Sequence, residues 1–149
     1  MVNVFDVAQY ILNSLGKMTT WKLQKLCYYS QAWSLVWDEK PLFKERIEAW
    51  ANGPVIPDLY EKHKGRFYIT QIKGSPGKLK KNQIETIKAV LEVYGDKTSD
   101  WLSQLTHREA PWQLARSRAH LGYGERGNAE IRLDDMAEYY GGLSATQAE

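Results

Sequence analysis

Apolar residues recur at helical spacing at Val4, Val7, Ala8, Ile11 and Leu15, with Gly16 as a stop, so Asn3 to Leu15 is predicted to be an amphipathic helix. Thr20 suits an N-cap for a second helix. Its stripe runs Leu23, Leu26, Cys27, Ser30, Trp33 and Trp37, while Leu35 and Val36 make the last turns apolar nearly all round, the mark of a central helix. Asp38 to Lys40 with Pro41 ends it. Arg46 to Trp50 alternates like a strand, Asn52-Gly53-Pro54 breaks the chain, and Pro57 opens a short helix through Tyr60 and His63. Phe67 to Ile72 is a second strand-like stretch, expected to pair with the first as a small sheet.

After the turn-rich, basic run Lys73 to Lys81, a helix is expected from about Asn82, with Ile84, Ile87, Leu91 and Tyr94 on one face and Gly95 closing it. Ser99 to Leu105 reads as one or two further turns. Thr106 and Glu109 have capping-box spacing, which predicts a helix from about His107 to Ser117. Gly122, Gly124 and Gly127 predict an irregular stretch, and Asp134 to Tyr140 a last short helix. The pattern describes a mainly α, compact single-domain helical bundle over residues 3–140, with a small β-hairpin or short sheet on one flank. Residues 141–149 show no core-forming pattern and read as a disordered tail.

At 149 residues and 43% hydrophobic composition, the chain has enough apolar surface for one core. The formal net charge of +2 gives no dominating field of the kind a dedicated nucleic-acid or polybasic membrane binder carries. The single cysteine excludes an internal disulfide, no apolar run is long enough to cross a bilayer, and no leader pattern opens the chain, so the expected location is cytoplasmic, away from membranes. Six Trp and nine Tyr against three Phe are an unusual balance, which suits either an interface or a core filled with large residues.

Candidate chemistry is sparse. Cys27 lies inside an apolar stripe, where a thiol behaves as a small hydrophobe, and His63, His107 and His120 are scattered without a metal-ligand spacing. The late glycines lack the strand and helix a phosphate loop needs, and Glu48 and Asp58 beside the Gly-Pro turn read as surface charges rather than an acid and base. No catalytic residue, metal site or cofactor is therefore expected. Lys73, Lys78, Lys80 and Lys81, with Arg66, Phe67 and Tyr68 upstream, combine phosphate-neutralising and base-stacking groups, so nucleic-acid binding through residues 73–81 is the alternative reading. A solvated loop explains the same lysines.

Several elements between Lys22 and Tyr60 occur together: Lys22-Leu23-Gln24-Lys25-Leu26, Tyr28-Tyr29, Gln31-Ala32-Trp33, Pro41-Leu42-Phe43, and Glu48-Ala49-Trp50 through Asn52-Gly53-Pro54-Val55 to Pro57 and Tyr60. This constellation resembles the Panacea domain, the SocA-like antitoxin family that includes phage-associated proteins of the GepA type. A weaker match follows at His107 with Pro111-Trp112. The resemblance implies a bacterial or prophage antitoxin of a toxin–antitoxin system, active in phage defence, that neutralises a toxin encoded nearby by direct protein contact. A relative that delivers its toxin to a protease makes a proteolytic adaptor a further possibility implied by the family. A homodimer in the absence of toxin is consistent with the aromatic surplus.

The residues suggest how such a module would grip a partner. Gly53 permits a sharp turn, and Pro54 and Pro57 stiffen the path on either side, so a pre-organised loop carrying Trp50, Asn52, Gly53, Pro54 and Tyr60 would bind at low ordering cost. Lys22, Lys25 and Tyr29 on the second helix are expected to face outward as a second contact strip. The plainer reading is that Trp50 packs inward, the Gly-Pro turn joins two elements, and the lysines are a solvated face.

Overall fold

In the computed structural model, which describes residues 1–148 and the side chains of residues 1–145, helix α1 (Val4–Leu15) begins at Asn3. The Asn3 side chain accepts from the backbone of Phe5 and Asp6, and Asp6 accepts in return from the Asn3 backbone, so the first orphan donors are satisfied. Strand β1 (Met18–Thr19) follows the stop at Gly16, and Thr19, one residue before the expected cap, accepts from the Lys22 backbone to open α2 (Thr20–Trp37). Helix α2 is buried on nearly every side, which is why its sequence lacks a clean polar face. It packs against α1, α4 (Lys81–Tyr94), α5 (Ser99–His107) and α7 (Leu133–Ala148).

The strand-like stretches are real, but their partners differ from expectation. Strand β2 (Glu48–Trp50) pairs antiparallel with β3 (Gly53–Val55), so the Gly-Pro segment is itself a return strand rather than a plain break. The expected sheet between the two stretches is replaced by two hairpin-scale ladders, since β4 (Tyr68–Ile69) pairs with β1. On the outer edge of β2, Ala49 donates to the Ala129 carbonyl and Ile131 to that of Ile47, so the irregular stretch after the late glycines closes the sheet.

Helix α3 (Pro57–His63) starts at a proline, whose missing N–H is free at a first turn. The expected box at Thr106 is not formed. Thr98 caps α5 instead, Thr106 lies in its last turn and donates back to the Ser103 carbonyl, and α6 (Ala110–Arg118) starts after Glu109 without a side-chain cap. Glu109 is drawn inward by a stronger set of donors. The last helix is also longer than predicted: it continues through Gly141 and Gly142 to Ala148, where a tail was expected, and residue 149 lies outside the described residues.

Three buried glutamines replace regular ladders where non-helical segments cross the bundle. Gln9 accepts from the Ile72 backbone. Gln24 accepts from the Ile56 N–H and donates to the Ile56 carbonyl, and Gln31 accepts from Leu42 and Phe43 and donates to Phe43. Each pairs with main-chain groups that would otherwise be buried unmatched. Because the Ile56 N–H fixes the Gln24 oxygen, the amide nitrogen faces His63 at 2.9 Å, and burial holds the His63 pKa below its ordinary value.

Part of the aromatic surplus lies in the core: Tyr28, Tyr29, Trp33, Tyr94, Trp112 and Tyr140 are buried. Tyr29 and Tyr140 both donate to the buried Glu109 carboxylate, at 2.7 and 2.8 Å, Tyr28 lies 3.0 Å from the Tyr140 hydroxyl, and Tyr29 stacks on Tyr94 at 4.1 Å. Burial raises the Glu109 pKa, partly offset by those two hydrogen bonds. The tyrosines thus join α2, α4, α6 and α7 through polar tips on apolar rings. The aromatics spent in this way give no independent support for a homodimer.

Candidate functional site

Four consecutive carbonyls of the β2–β3 hairpin are each bound by a side chain from α5 or α6. Arg116 donates to Ala49 at 2.8 Å, Trp112 to Trp50 at 2.8 Å, and Ser103 to Asn52 at 2.6 Å, while the His107 ring nitrogen lies 2.9 Å from the Ala51 oxygen. Helical spacing explains the match: Ser103 and His107 are one turn apart on α5, as are Trp112 and Arg116 on α6. Arg116 also reaches the Gly122 and Glu125 carbonyls, tying the glycine-rich stretch to the same frame. The hairpin backbone is fixed, and only its side chains remain available.

Those side chains open onto three adjoining clefts that share Asn52. One, of about 600 Å³, is lined by Trp21, Trp50, Val55, Tyr60 and Arg126. A second, of about 530 Å³, lies between Trp21, Lys25, Phe67 and the start of α5 at Ser99 and Asp100. The third, of about 480 Å³, runs past His107, Arg108 and Tyr123. Trp50 meets Tyr60 edge to face at 5.0 Å, and its indole N–H donates to Glu48 at 2.9 Å, which fixes the ring at the cleft wall. The Asn52 side chain is exposed and forms no hydrogen bond within the described structure.

Residues 23–113, more than half of the chain, match the family model of the antitoxin SocA-like, Panacea domain. The chain belongs to this family. No curated protein and no solved structure matches it.

The Panacea match begins within α2 and ends within α6, so it takes in Lys25, the hairpin and three of its four clamps, Ser103, His107 and Trp112. The resemblance at His107 and Pro111-Trp112 thereby acquires a physical role: these residues hold the hairpin. Trp50, Asn52 and Tyr60 line one cleft together. Gly53 and Pro54 are buried and set the path rather than the surface. Gly53 sits at φ +125°, and a Cβ there would fall 2.7 Å from Lys25 Cε, so glycine is required on both counts.

The expected outward strip on α2 of this Panacea domain is corrected. Tyr29 is fully buried in the Glu109 network, and Lys25 is 1% exposed, because the helix is wrapped by neighbours on the side that a lysine pattern marks as solvent. Lys22 is half-buried, its pKa lowered by burial and partly restored by Asp96. Glu48, expected at the surface, is buried between Arg46 and Trp50, whereas Asp58 is exposed. Cys27 is buried, and burial raises its thiol pKa. Among the described residues no three His, Cys, Asp or Glu side chains cluster in a metal-binding arrangement, and no helix is long and apolar enough to cross a membrane.

Lys73, Lys78, Lys80 and Lys81 are exposed, but Asp6 pins their loop through the Ser75 N–H at 2.7 Å. Phe67 and Tyr68 are exposed upstream, with the Lys17 ammonium over the Tyr68 ring. Sequence reasoning missed Trp21, Ser103, Arg116 and Arg126. A tryptophan off the apolar stripe of α2 was the available signal for Trp21; the other three carried none beyond helical spacing.

Proposed function

We propose that this Panacea domain is the antitoxin of a toxin–antitoxin pair, acts in the cytoplasm, and neutralises its toxin by direct binding across the clefts around Asn52. The observation that carries the reading is the convergence of Trp21, Trp50 and Tyr60 on an exposed asparagine whose backbone is clamped. Large aromatic faces on an immobile frame give contact area with little ordering cost, the usual make-up of an interface hot spot. Family membership supplies the class of partner, a toxin, and a regulatory rather than catalytic role. The arginines at the rims, Arg108 and Arg126, favour an acidic partner surface.

Co-expression with the product of the adjacent reading frame tests this. The wild-type chain is expected to relieve growth arrest and to co-purify with that product. Asn52→Glu places bulk and a charge of the partner's own sign at the meeting point of the clefts without touching the core, and is expected to weaken binding about thirtyfold or more, the scale of a hot-spot loss, with the melting temperature unchanged. Absence of both rescue and co-purification by the wild type would sink the proposal.

A further inference from the structure

Six Asp, Glu, His, Lys or Arg side chains are buried in the described structure: Asp6, Lys25, Glu48, His63, Glu109 and Arg116. Five of them have hydrogen-bond partners. Asp6 receives the Asn3 and Ser75 N–H groups, Glu48 those of Arg46 and Trp50, and Glu109 two tyrosine hydroxyls. His63 meets Gln24, and Arg116 binds three carbonyls. Lys25 is the exception. Its ammonium makes no hydrogen bond or ion pair among the described residues, and the Trp21 ring at 5.5 Å is the one charge-complementary group recorded beside it. An ammonium so nearly withdrawn from water, on a side chain 1% exposed and without such partners, is costly to keep, and the cleft it borders is the one place from which a matching group could reach it.

The side chain is also aimed. It passes through the gap left by the absent Cβ of Gly53, where a methyl group would lie 2.7 Å from Cε and 3.2 Å from Nζ, and it reaches the wall of the 530 Å³ cleft. Around it the hydroxyls are already engaged: Thr19 with Ser99, and Ser103 with the Asn52 carbonyl. The cleft groups left without a hydrogen bond are the Lys25 ammonium, the Asn52 amide and the Trp21 indole N–H, all donors, and the Asp100 carboxylate, which stands exposed to water at the rim.

We propose that Lys25 and Asn52 form a receptor for one carboxylate, delivered on the aliphatic stem of an aspartate or glutamate side chain of the toxin. One ammonium matches one carboxylate in charge, and the amide N–H of Asn52 supplies a second donor to the same group. A phosphate carries more charge than Lys25 offsets, and the exposed Asp100 on the rim opposes a multiply charged anion more strongly than a single carboxylate. Lys25 is 1% exposed, so a carboxylate that reaches it with the toxin seated over Trp21 and Phe67 is withdrawn from water, a buried anchor rather than a screened surface contact. This inference rests on the antitoxin reading and assigns that interface its anchoring chemistry.

The test uses the full chain and the purified product of the adjacent reading frame, with binding followed by calorimetry and the free chain by thermal melting. Lys25→Met is expected to weaken binding at least about tenfold while raising the melting temperature of the free chain. A residue with a merely structural role would not move those two readings in opposite directions. Asn52→Ala, an exposed change, is expected to weaken binding severalfold with no effect on melting. Replacing each toxin carboxylate in turn by its amide is expected to find one position whose loss matches that of Lys25→Met and adds nothing to it. Tight wild-type binding that Lys25→Met alters less than twofold, or that no single toxin carboxylate couples to, overturns the receptor and leaves the antitoxin reading standing; no wild-type binding overturns both.

Discussion

Gly53 and Lys25 are a matched pair in which a missing atom makes room for a long one. Two penalties await any side chain at Gly53. The backbone conformation at φ +125° is strained for an L-residue, and the added Cβ meets the lysine stem at 2.7 Å. Gly53→Ala is expected to destabilise the fold by about 2–4 kcal/mol, the sum of backbone strain and overpacking. The two terms separate in a double-mutant cycle read by denaturant unfolding. In a Lys25→Ala background the clash with the lysine is gone, only the milder approach to Thr106 Oγ1 at 3.2 Å remains, and the cost of Gly53→Ala falls to about 1–2 kcal/mol, mostly the backbone term. Lys25 also shows where residue-level reading of the sequence runs out. Its burial follows from the surrounding elements and not from its own position, since lysines on a helix mark solvent unless something covers them.

At the scale of elements, the hairpin is held by side chains rather than by a wide sheet. Trp112→Phe keeps an aromatic ring and removes one N–H, leaving the Trp50 carbonyl without that donor. The change is expected to cost about 1–2 kcal/mol. Hydrogen exchange would locate the effect: amides of β2 and β3 should lose protection about tenfold, while those of α1 and α2 keep theirs.

The same scale explains what the sequence disclosed. Helices α1, α2 and α4 were legible because twelve or more residues repeat one spacing, and several ends because Asn3, Gly16, Pro57 and Gly95 carry local chemistry. Strand pairing was not legible, since segments of two or three residues hold too little pattern to name a partner, and the neighbours of β2 come from residues 53–55 and 129–131. The false cap at Thr106 came from a motif whose carboxylate had a better use in the tyrosine cluster. Of the candidate surface, Trp50, Asn52 and Tyr60 were readable as one segment, whereas Trp21 and the rim arginines enter only through packing.

For the whole molecule, buried titratable groups set how stability varies with pH. Burial lowers the Lys25 pKa from 10.5 to about 8, so above that value the unfolded chain holds a proton that the folded chain has released. Stability therefore rises with pH on passing about 8, at roughly 1 kcal/mol per pH unit. Burial acts in the opposite sense on Cys27 and on Tyr28, Tyr29 and Tyr140, whose pKa values are raised, and it pushes Tyr94 up to about 12. The unfolded thiol ionises from its ordinary 9 and the phenols from 10, so stability falls beyond those values. Denaturant titrations are expected to show a maximum near pH 9, and Lys25→Met to abolish the rise that precedes it.

The clamps on residues 49–52 divide labour within a single turn. Each of these clamps uses a carbonyl, which all residue types share, and comes from side chains elsewhere in the chain. Exchange of Asn52 for another residue therefore leaves the frame as it is and alters only the chemical face presented. A module built in this way can be re-specified by point substitution: a new partner requires different lettering on the turn and no new architecture beneath it.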